Sequence, residues 1–271
     1  SANAIRKYDV RQLVELGIEW IWLGLESAAA GYKKLEGTDT QALARELQSH
    51  GIRVHGSTII GLEHHTPGNI DAEIDHAIAH ETVFHQFMLY TPVPGTPLYR
   101  EVQAEGRLLP DVNLADIHGQ FKFNFTHAAI SRDDSKTFLD RAFRRDFETN
   151  GPSLYRLMRS MMVGWRRYRD DPDARVRTRV SLEARQLATG HGGALWAMER
   201  YLRASNRTMS ERIRDLRLEI EREIGGVSRF IDPIVGRVLL WSARREHRRD
   251  PGGRRLEPRT WVDRRNWQPA R

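Results

Sequence analysis

The first hundred residues alternate short apolar runs with segments of helical periodicity, and this alternation constrains the fold more than any other feature of the chain. The apolar runs are rich in aromatic and β-branched residues, as strands are. The predicted strands are Ala2–Ile5, 19–24, 54–60 and 83–89. Asp9 is placed to cap the first intervening helix, and Thr38 or Asp39 the second. A β-α-β-α-β-α-β order with short loops predicts a parallel α/β sheet, because parallel neighbours need crossover connections.

After Pro110 the pattern becomes purely helical. Ser131 is a predicted N-cap, and Asn150-Gly151-Pro152 predicts a turn between two helices. The predicted helices run from 131 to about 148, from 152 to about 170, from 172 to about 206 with a break at 190–193, from 210 to 224, and from about 233 to 248. Residues 250–271 are rich in Arg, Pro and Gly without a period, which predicts an extended or disordered tail.

Composition narrows the possible chemistry. The chain has no cysteine, which excludes disulfides, thiolate zinc sites, a cysteine nucleophile and an iron–sulfur cluster held by this chain alone. It has neither a secretory signal nor a run of about 18 apolar residues that could cross a membrane, so we expect it in the cytoplasm. Residues 1–110 carry 9 Lys/Arg against 14 Asp/Glu, whereas residues 111–271 carry 34 against 22, so the two regions differ in charge.

Polar residues follow three predicted strands at the edge where parallel α/β folds gather their reactive groups. Glu26 and Ser27 follow the second strand, and His64 and His65 follow the third. A Pro-rich segment, 91–99, follows the fourth. Each feature alone has a plain interpretation, as a helix start, a solvated histidine pair and a proline-broken loop. Because all three features lie at the same edge of the predicted sheet, together they indicate a binding site there.

Three motifs carry a resemblance to a known family. They are Gly-Leu-Glu-Ser at 24–27, Ser-Thr-Ile-Ile-Gly-Leu at 57–62, and Thr-Pro-Val-Pro-Gly-Thr-Pro-Leu-Tyr at 91–99 followed by Glu-Gly-Arg-Leu at 105–108. In this order they resemble the later strands of radical-SAM enzymes, above all the class with an N-terminal cobalamin-binding domain. The resemblance implies a partial (β/α)6 TIM-like barrel, strands three to six, in residues 1–125. A helical extension over 126–249 and a basic tail over 250–271 would follow.

The resemblance also implies a cofactor site for S-adenosyl-L-methionine (SAM). Glu26 and Ser27 correspond to residues that contact its ribose or methionine part. The residues corresponding to the adenine support are Gly56, Thr58, Ile60 and Gly61, with Gln86, Met88 and Tyr90 near the adenine on the last strand. His65 stands where the family has a glutamate, a departure from the pattern. No residue of this chain is assigned a catalytic or metal-ligating role.

The family's Cys-x-x-x-Cys-x-x-Cys loop, which ligates a 4Fe-4S cluster, has no counterpart here. The resemblance therefore implies that the chain is a truncated product or fragment, inactive alone, whose partner is a missing N-terminal half carrying the cluster and, in this class, cobalamin. The parent would be a transferase that methylates an unactivated carbon of a small-molecule or lipid-like substrate.

Two alternatives stay open. Arginine pairs recur beside Trp165, Trp241, Trp261 and Trp267. This pattern is typical of a surface that binds nucleic acid or an anionic membrane. It is equally typical of solvated helix faces whose tryptophans pack between helices. The chain would then be a basic helical binding module. The other alternative is a structural fragment without activity, poorly soluble because its first strand has an unpaired edge.

Overall fold

The computed structural model describes residues 2–25, 39–110, 112–225 and 228–251. Three strands lie in these ranges: β1 (Trp20–Gly24), β2 (Arg53–Ile60) and β3 (Phe84–Leu89). The helices are α1 (Ala2–Ile5), α2 (Val10–Glu15), α3 (Thr40–Ser49), α4 (Ile70–Ile78), α5 (Pro97–Ala104), α6 (Arg132–Asn150), α7 (Ser153–Tyr168), α8 (Ala174–Gln186), α9 (Gly192–Leu202), α10 (Arg207–Glu223) and α11 (Ser228–Arg249). A 3₁₀ turn covers Leu114–Asp116 and a π-helical turn Leu187–His191. The tail over 252–271, predicted to be disordered, lies outside the described residues.

The three strands form one parallel sheet in the order β1-β2-β3. One row across it joins Trp22 to His55 and His55 to Phe84. The α/β class and the side-by-side, co-directional arrangement of these strands are confirmed. Each strand matches a predicted strand within one residue at either end.

The first predicted strand is wrong, because Ala2–Ile5 is a short helix. The Arg6 N–H donates to the Ala2 carbonyl at 3.0 Å, closing one helical turn. Two of the four residues are alanine, the strongest helix former, and only Ile5 is β-branched. So short an apolar run fits a buried helix as well as a strand. The sheet of the described residues therefore has three strands, not four.

Two helical boundaries also differ from the predictions. The cap of α10 is Asn206, whose Oδ1 accepts from the Met209 N–H at 3.0 Å. Ser210, the predicted cap, instead donates its hydroxyl to the Glu199 carbonyl at 2.6 Å and ties α10 to α9. The last helix begins at Ser228, before the predicted start at Pro233. The predicted break near residue 190 is the π-helical turn between α8 and α9.

All the helices that contact the sheet core cover one face of it. In one cluster, α3 packs through Leu43 and Leu47 against Leu23 and Val54. In a second cluster, α4 packs through Ile74 against Ile60 and Phe87. The strand residues of both clusters point the same way, because side chains alternate between faces and paired residues in a sheet share a face. We call this covered side the helix face and the other side the open face.

The helical region shares these cores with the sheet. Val176 and Val180 of α8 belong to the first cluster, and Phe138 and Leu139 of α6 to the second. A third cluster is built within α7, α9, α10 and the π-helical turn. The division of the chain at residue 126 stays a prediction, since core contacts cross that point. None of the described helices is long and apolar enough to cross a membrane.

Candidate functional site

The open face carries every second residue of each strand. Its central members are Trp20, Trp22, His55, Ser57, Ile59, Phe84, Gln86 and Met88. Trp22 is 62% exposed and Ile59 39%. All-parallel sheets are normally covered on both faces, so exposed side chains of this size in the middle of one are unusual.

An aromatic row crosses the open face. The ring of Trp22 stacks on His55, with centroids 4.6 Å apart and planes 6° apart, and His55 is 6.2 Å from Phe84. Partial burial lowers the pKa of His55, so the imidazole is neutral near pH 7. Because Trp22 and His55 stack face to face and Phe84 is tilted by 46° from His55, the row presents mainly ring edges and is uncharged.

A polar row lies beside the aromatic one, toward the carboxyl ends of the strands. Ser57 pairs in register with Gly24 on one side and Gln86 on the other. The Gln86 Oε1 atom is buried and has no hydrogen-bond partner among the described residues. Leaving a buried acceptor unpaired costs about 1–3 kcal/mol. A donor supplied by a ligand or a partner would offset that cost.

The loop after β2 is held in one shape by a histidine. The His65 Nδ1 accepts from the N–H groups of Gly61 at 3.0 Å and Leu62 at 3.2 Å. Gly61 has a φ of 80°, and a methyl group added to it would lie 2.7 Å from Cε1 of Phe123. Only glycine fits that position, because both the backbone and the neighbouring ring exclude a side chain.

A second histidine, His127, also holds the loop after β2. The His127 Nε2 donates to the Leu62 carbonyl at 3.1 Å, while its Nδ1 accepts from the N–H groups of Ala129 and Ile130, each at 3.1 Å. These contacts assign the neutral tautomer with the proton on Nε2. Hydrogen bonds from two histidines thus hold the loop over 61–65 in place at the carboxyl end of β2. We call this loop the rim.

His64, His65 and Glu73 lie close enough to suggest a metal site, with their ligand atoms within 4.8 Å of one another. The chemistry of His65 argues against that interpretation. Its Nδ1 already accepts two backbone hydrogen bonds, so the ring proton lies on Nε2, the atom that would have to bind the metal. Burial lowers the pKa of His65 to about 4, which keeps the ring neutral. His65 is a structural residue of the rim.

The predicted SAM-binding residues are divided between the two faces. Gln86 and Met88 lie on the open face, and Gly61 and His65 form the rim. Thr58 and Ile60 point to the helix face: Thr58 Oγ1 lies 2.9 Å from His85 Nε2, and Ile60 is fully buried.

Four predicted residues remain: Gly56, Tyr90, Glu26 and Ser27. A side chain on Gly56 would collide with Leu25 and Thr82, so this position also faces the helices. Tyr90 packs edge-on against Phe125, at 6.0 Å between centroids, beside the helix-face core. Glu26 and Ser27 lie outside the described residues.

The sequence-based prediction overlooked Trp22, His55, Ser57 and Ile59. The signal for Ser57 and Ile59 was the period of two along β2, which separates them from Thr58 and Ile60. Once Gln86 and Met88 are chosen on β3, the register makes Ser57 and Ile59 their neighbours on the same face.

The chain matches no protein-family model, no curated protein and no solved structure.

Proposed function

We propose that this chain is the SAM-binding part of a radical-SAM enzyme and forms the last strands of its (β/α)6 barrel. The observation that carries the proposal is the sheet itself, with consecutive parallel strands, both crossover helices on one face, and exposed side chains such as Trp22 and Ile59 on the opposite face.

This arrangement has the features of a barrel wall. In a barrel the strands follow in sequence order, the helices stay outside and the inner side chains meet in the lumen. One half of a doubly wound sheet, before its switch point, has the same consecutive order and the same single helical layer. The choice of a barrel therefore rests on the resemblance and on the exposed side chains of the open face.

The open face supports a missing partner segment. Exposed Trp22 and Ile59 would be buried in the lumen once further strands closed the barrel. Burying large apolar side chains contributes about 1.5–3 kcal/mol each, which favours that association. The partner in this proposal is the upstream half of the same enzyme.

The chemistry of the open face suits an adenosyl group. A flat purine can stack on an exposed aromatic ring such as that of Trp22, which is 62% exposed. The exocyclic amine of adenine is a donor of the kind that Gln86 Oε1 lacks. The Ser57 hydroxyl lies in the same row. Glu26 and Ser27 keep their proposed role at the ribose or methionine part.

No residue of this chain fits a 4Fe-4S cluster, because there is no thiolate to ligate it. Reductive cleavage of SAM therefore belongs to the partner half, which would also bring cobalamin. This chain's part is to bind and orient SAM and to exclude water around it. The methyl transfer assigned to the parent rests on the resemblance alone.

The first experiment is to sequence the DNA upstream of codon 1. We expect an in-frame Cys-x-x-x-Cys-x-x-Cys motif within about a hundred codons, the span that the missing half of a barrel needs. An in-frame stop codon there without such a motif overturns the proposal.

The second experiment measures SAM affinity by calorimetry in the complete reading frame with its cluster reconstituted. Gln86→Leu should weaken binding about tenfold, since one hydrogen bond to a buried acceptor is lost. The matched control is Gln103→Leu on the exposed side of α5, which should leave the affinity unchanged. Equal affinity in both variants would remove SAM from the open face.

A further inference from the structure

The helix α11 is attached to the protein by a narrow stripe. Its buried positions over 231–250 are Asp232, Gly236 and Leu240, one turn apart, and they pack on α9. The helices cross closely: a methyl group added to Gly236 would lie 2.6 Å from Cε3 of Trp196 and 3.0 Å from the Gly193 carbonyl. Most of the circumference of α11 therefore faces outward.

The outward side of α11 is apolar in its first half. Among its exposed residues are Phe230, Ile231, Ile234, Val238, Leu239 and Trp241, and the least exposed of these is Leu239 at 41%. They follow one another on successive turns of the helix, so they form one continuous surface. Apolar patches of this size on a protein surface mark an interaction site.

The second half of α11 is strongly basic. Arg244, Arg245, Arg248 and Arg249 occupy its last two turns. Residues 237–271 contain 11 arginines against 4 acidic residues, a net charge of +7. The preceding 236 residues contain 32 basic and 32 acidic residues, so the entire net charge of the chain lies at this end.

An apolar hollow opens beside the helix. It has a volume of about 340 Å³ and lies between α11, α9 and the corner that joins α6 to α7. Leu239 and Leu240 of α11 form one wall, and Met198 and Tyr201 of α9 the other. Leu239 belongs both to the hollow and to the exposed surface, so the two apolar areas join.

We propose that α11 binds flat on an anionic membrane surface, with its apolar side in the acyl boundary and its arginines on the lipid phosphates. Exposed Trp and aliphatic residues in the first half of α11 are followed along the same side by arginines in the second half, which combines apolar burial with attraction to anionic lipids, the two forces that hold helices in a membrane interface. Anionic lipids attract such basic segments. The helix lies on the bilayer and does not span it, in keeping with the lack of any spanning helix among the described residues.

Other occupants fit the same surface less well. A nucleic acid would pair with the arginines through its phosphates, but it would leave the aliphatic surface of Ile234, Val238 and Leu239 uncovered. A second copy of the chain that paired in parallel along α11 would bring two strongly positive ends to one interface, and like charges oppose that contact; an antiparallel pair is the dimer outcome that the test includes. The chain's own residues 252–271 carry the same sign of charge as the end of α11.

The test is co-sedimentation of the full chain with vesicles of phosphatidylcholine, with or without about one third phosphatidylglycerol. We expect binding to the anionic vesicles at low salt, weakening as salt rises, and little binding to the neutral ones. Val238→Asp should lower the affinity for anionic vesicles at least about tenfold by placing a charge in the apolar side. Arg248→Glu should also weaken binding.

Two control variants match these changes elsewhere on the surface. Leu218→Asp alters an exposed apolar residue of α10, and Arg185→Glu alters an exposed arginine of α8. Both should bind vesicles as the unaltered chain does, and circular dichroism should show the same helix content in all four variants.

Three results would overturn the proposal. One is no sedimentation with anionic vesicles at low salt. The second is tighter binding to duplex or single-stranded DNA than to vesicles. The third is dissociation of a dimer by Val238→Asp without a change in vesicle binding. SAM affinity is measured separately and does not depend on any of these outcomes.

Discussion

The two faces of the sheet differ in how completely their side chains are covered. On the helix face, His85 is buried, stacks on Phe87 with centroids 3.9 Å apart, and shares a hydrogen bond with Thr58. On the open face, Trp22 and Ile59 are exposed. Each face also holds a buried polar atom without a hydrogen-bond partner among the described residues, His85 Nδ1 on the helix face and Gln86 Oε1 on the open face. The helix face is therefore built for stability, whereas the open face keeps apolar side chains available for something else to contact.

The largest effect that would test this comparison is expected at the rim. Gly61→Ala should lower the free energy of unfolding by about 3–4 kcal/mol, because it combines a positive φ with a clash against Phe123. Gly95→Ala is the control, since Gly95 has a φ of 89° but nothing within 4 Å of an added methyl group. It should cost only about 1–2 kcal/mol.

Urea denaturation of both variants measures the difference. Equal losses at Gly61 and Gly95 would mean that the ring of Phe123 moves aside, and that the rim is not rigid.

A second test compares two neighbours of one residue type on β2. Ile60→Ala removes a fully buried side chain from the helix face and should cost about 3 kcal/mol. Ile59→Ala, on the open face, should cost less than about 1 kcal/mol, because Ile59 is 39% exposed. Chemical denaturation followed by circular dichroism measures both. Similar costs would show that the open face is covered in solution.

The same two variants also test the proposed assembly of this chain with the upstream half of the enzyme. In the complete enzyme, where the open face would be closed, the cost of Ile59→Ala should rise toward that of Ile60→Ala.

The smallest expected effect is on the pH dependence of the free energy of unfolding. Burial lowers the pKa of His85 to about 3, whereas in the unfolded chain it is near 6.5. Protonation therefore favours unfolding, and the stability that His85 contributes is fully present above about pH 6.5 and is lost as the pH falls from there toward 3. The loss approaches about 1.4 kcal/mol per pH unit, or about 2 kcal/mol at pH 5.

His85→Phe should flatten this part of the pH profile, measured by urea denaturation between about pH 7 and pH 5. His55→Phe on the open face should flatten it less, because His55 is less deeply buried. An unchanged slope in His85→Phe would place the proton uptake at other groups.

The sequence predicted β1, β2 and β3 well because each is long enough, and sufficiently rich in aromatic and β-branched residues, to be distinguished from a helix. It failed at Ala2–Ile5, where four residues carry too little signal. The site at the carboxyl edge of the sheet stays a prediction; the position of that edge follows from the direction and order of the strands alone.

The choice between Thr58 and Ser57, however, depends on which face the helices cover, and that is a tertiary property. The role of His65 depends likewise on Phe123 and His127, which lie some 60 residues further along the chain. Contacts between residues so far apart in the sequence cannot be predicted from local sequence patterns.

The cores shared across residue 126 determine how this chain can be dissected. A fragment that ends after α5 would lose Phe138 and Leu139 from the Ile60–Phe87 cluster, and also Arg156, whose Nη1 donates to the Thr82 carbonyl at 2.8 Å. The smallest piece that keeps both sheet clusters therefore runs through α8, although it would expose the side chains of α7 that belong to the third cluster. Helices α9 to α11 contribute to none of the sheet clusters, so hydrogen exchange should report them as a separate opening unit. We therefore expect α11 to loosen or shift together with α9 and α10 while the sheet stays folded.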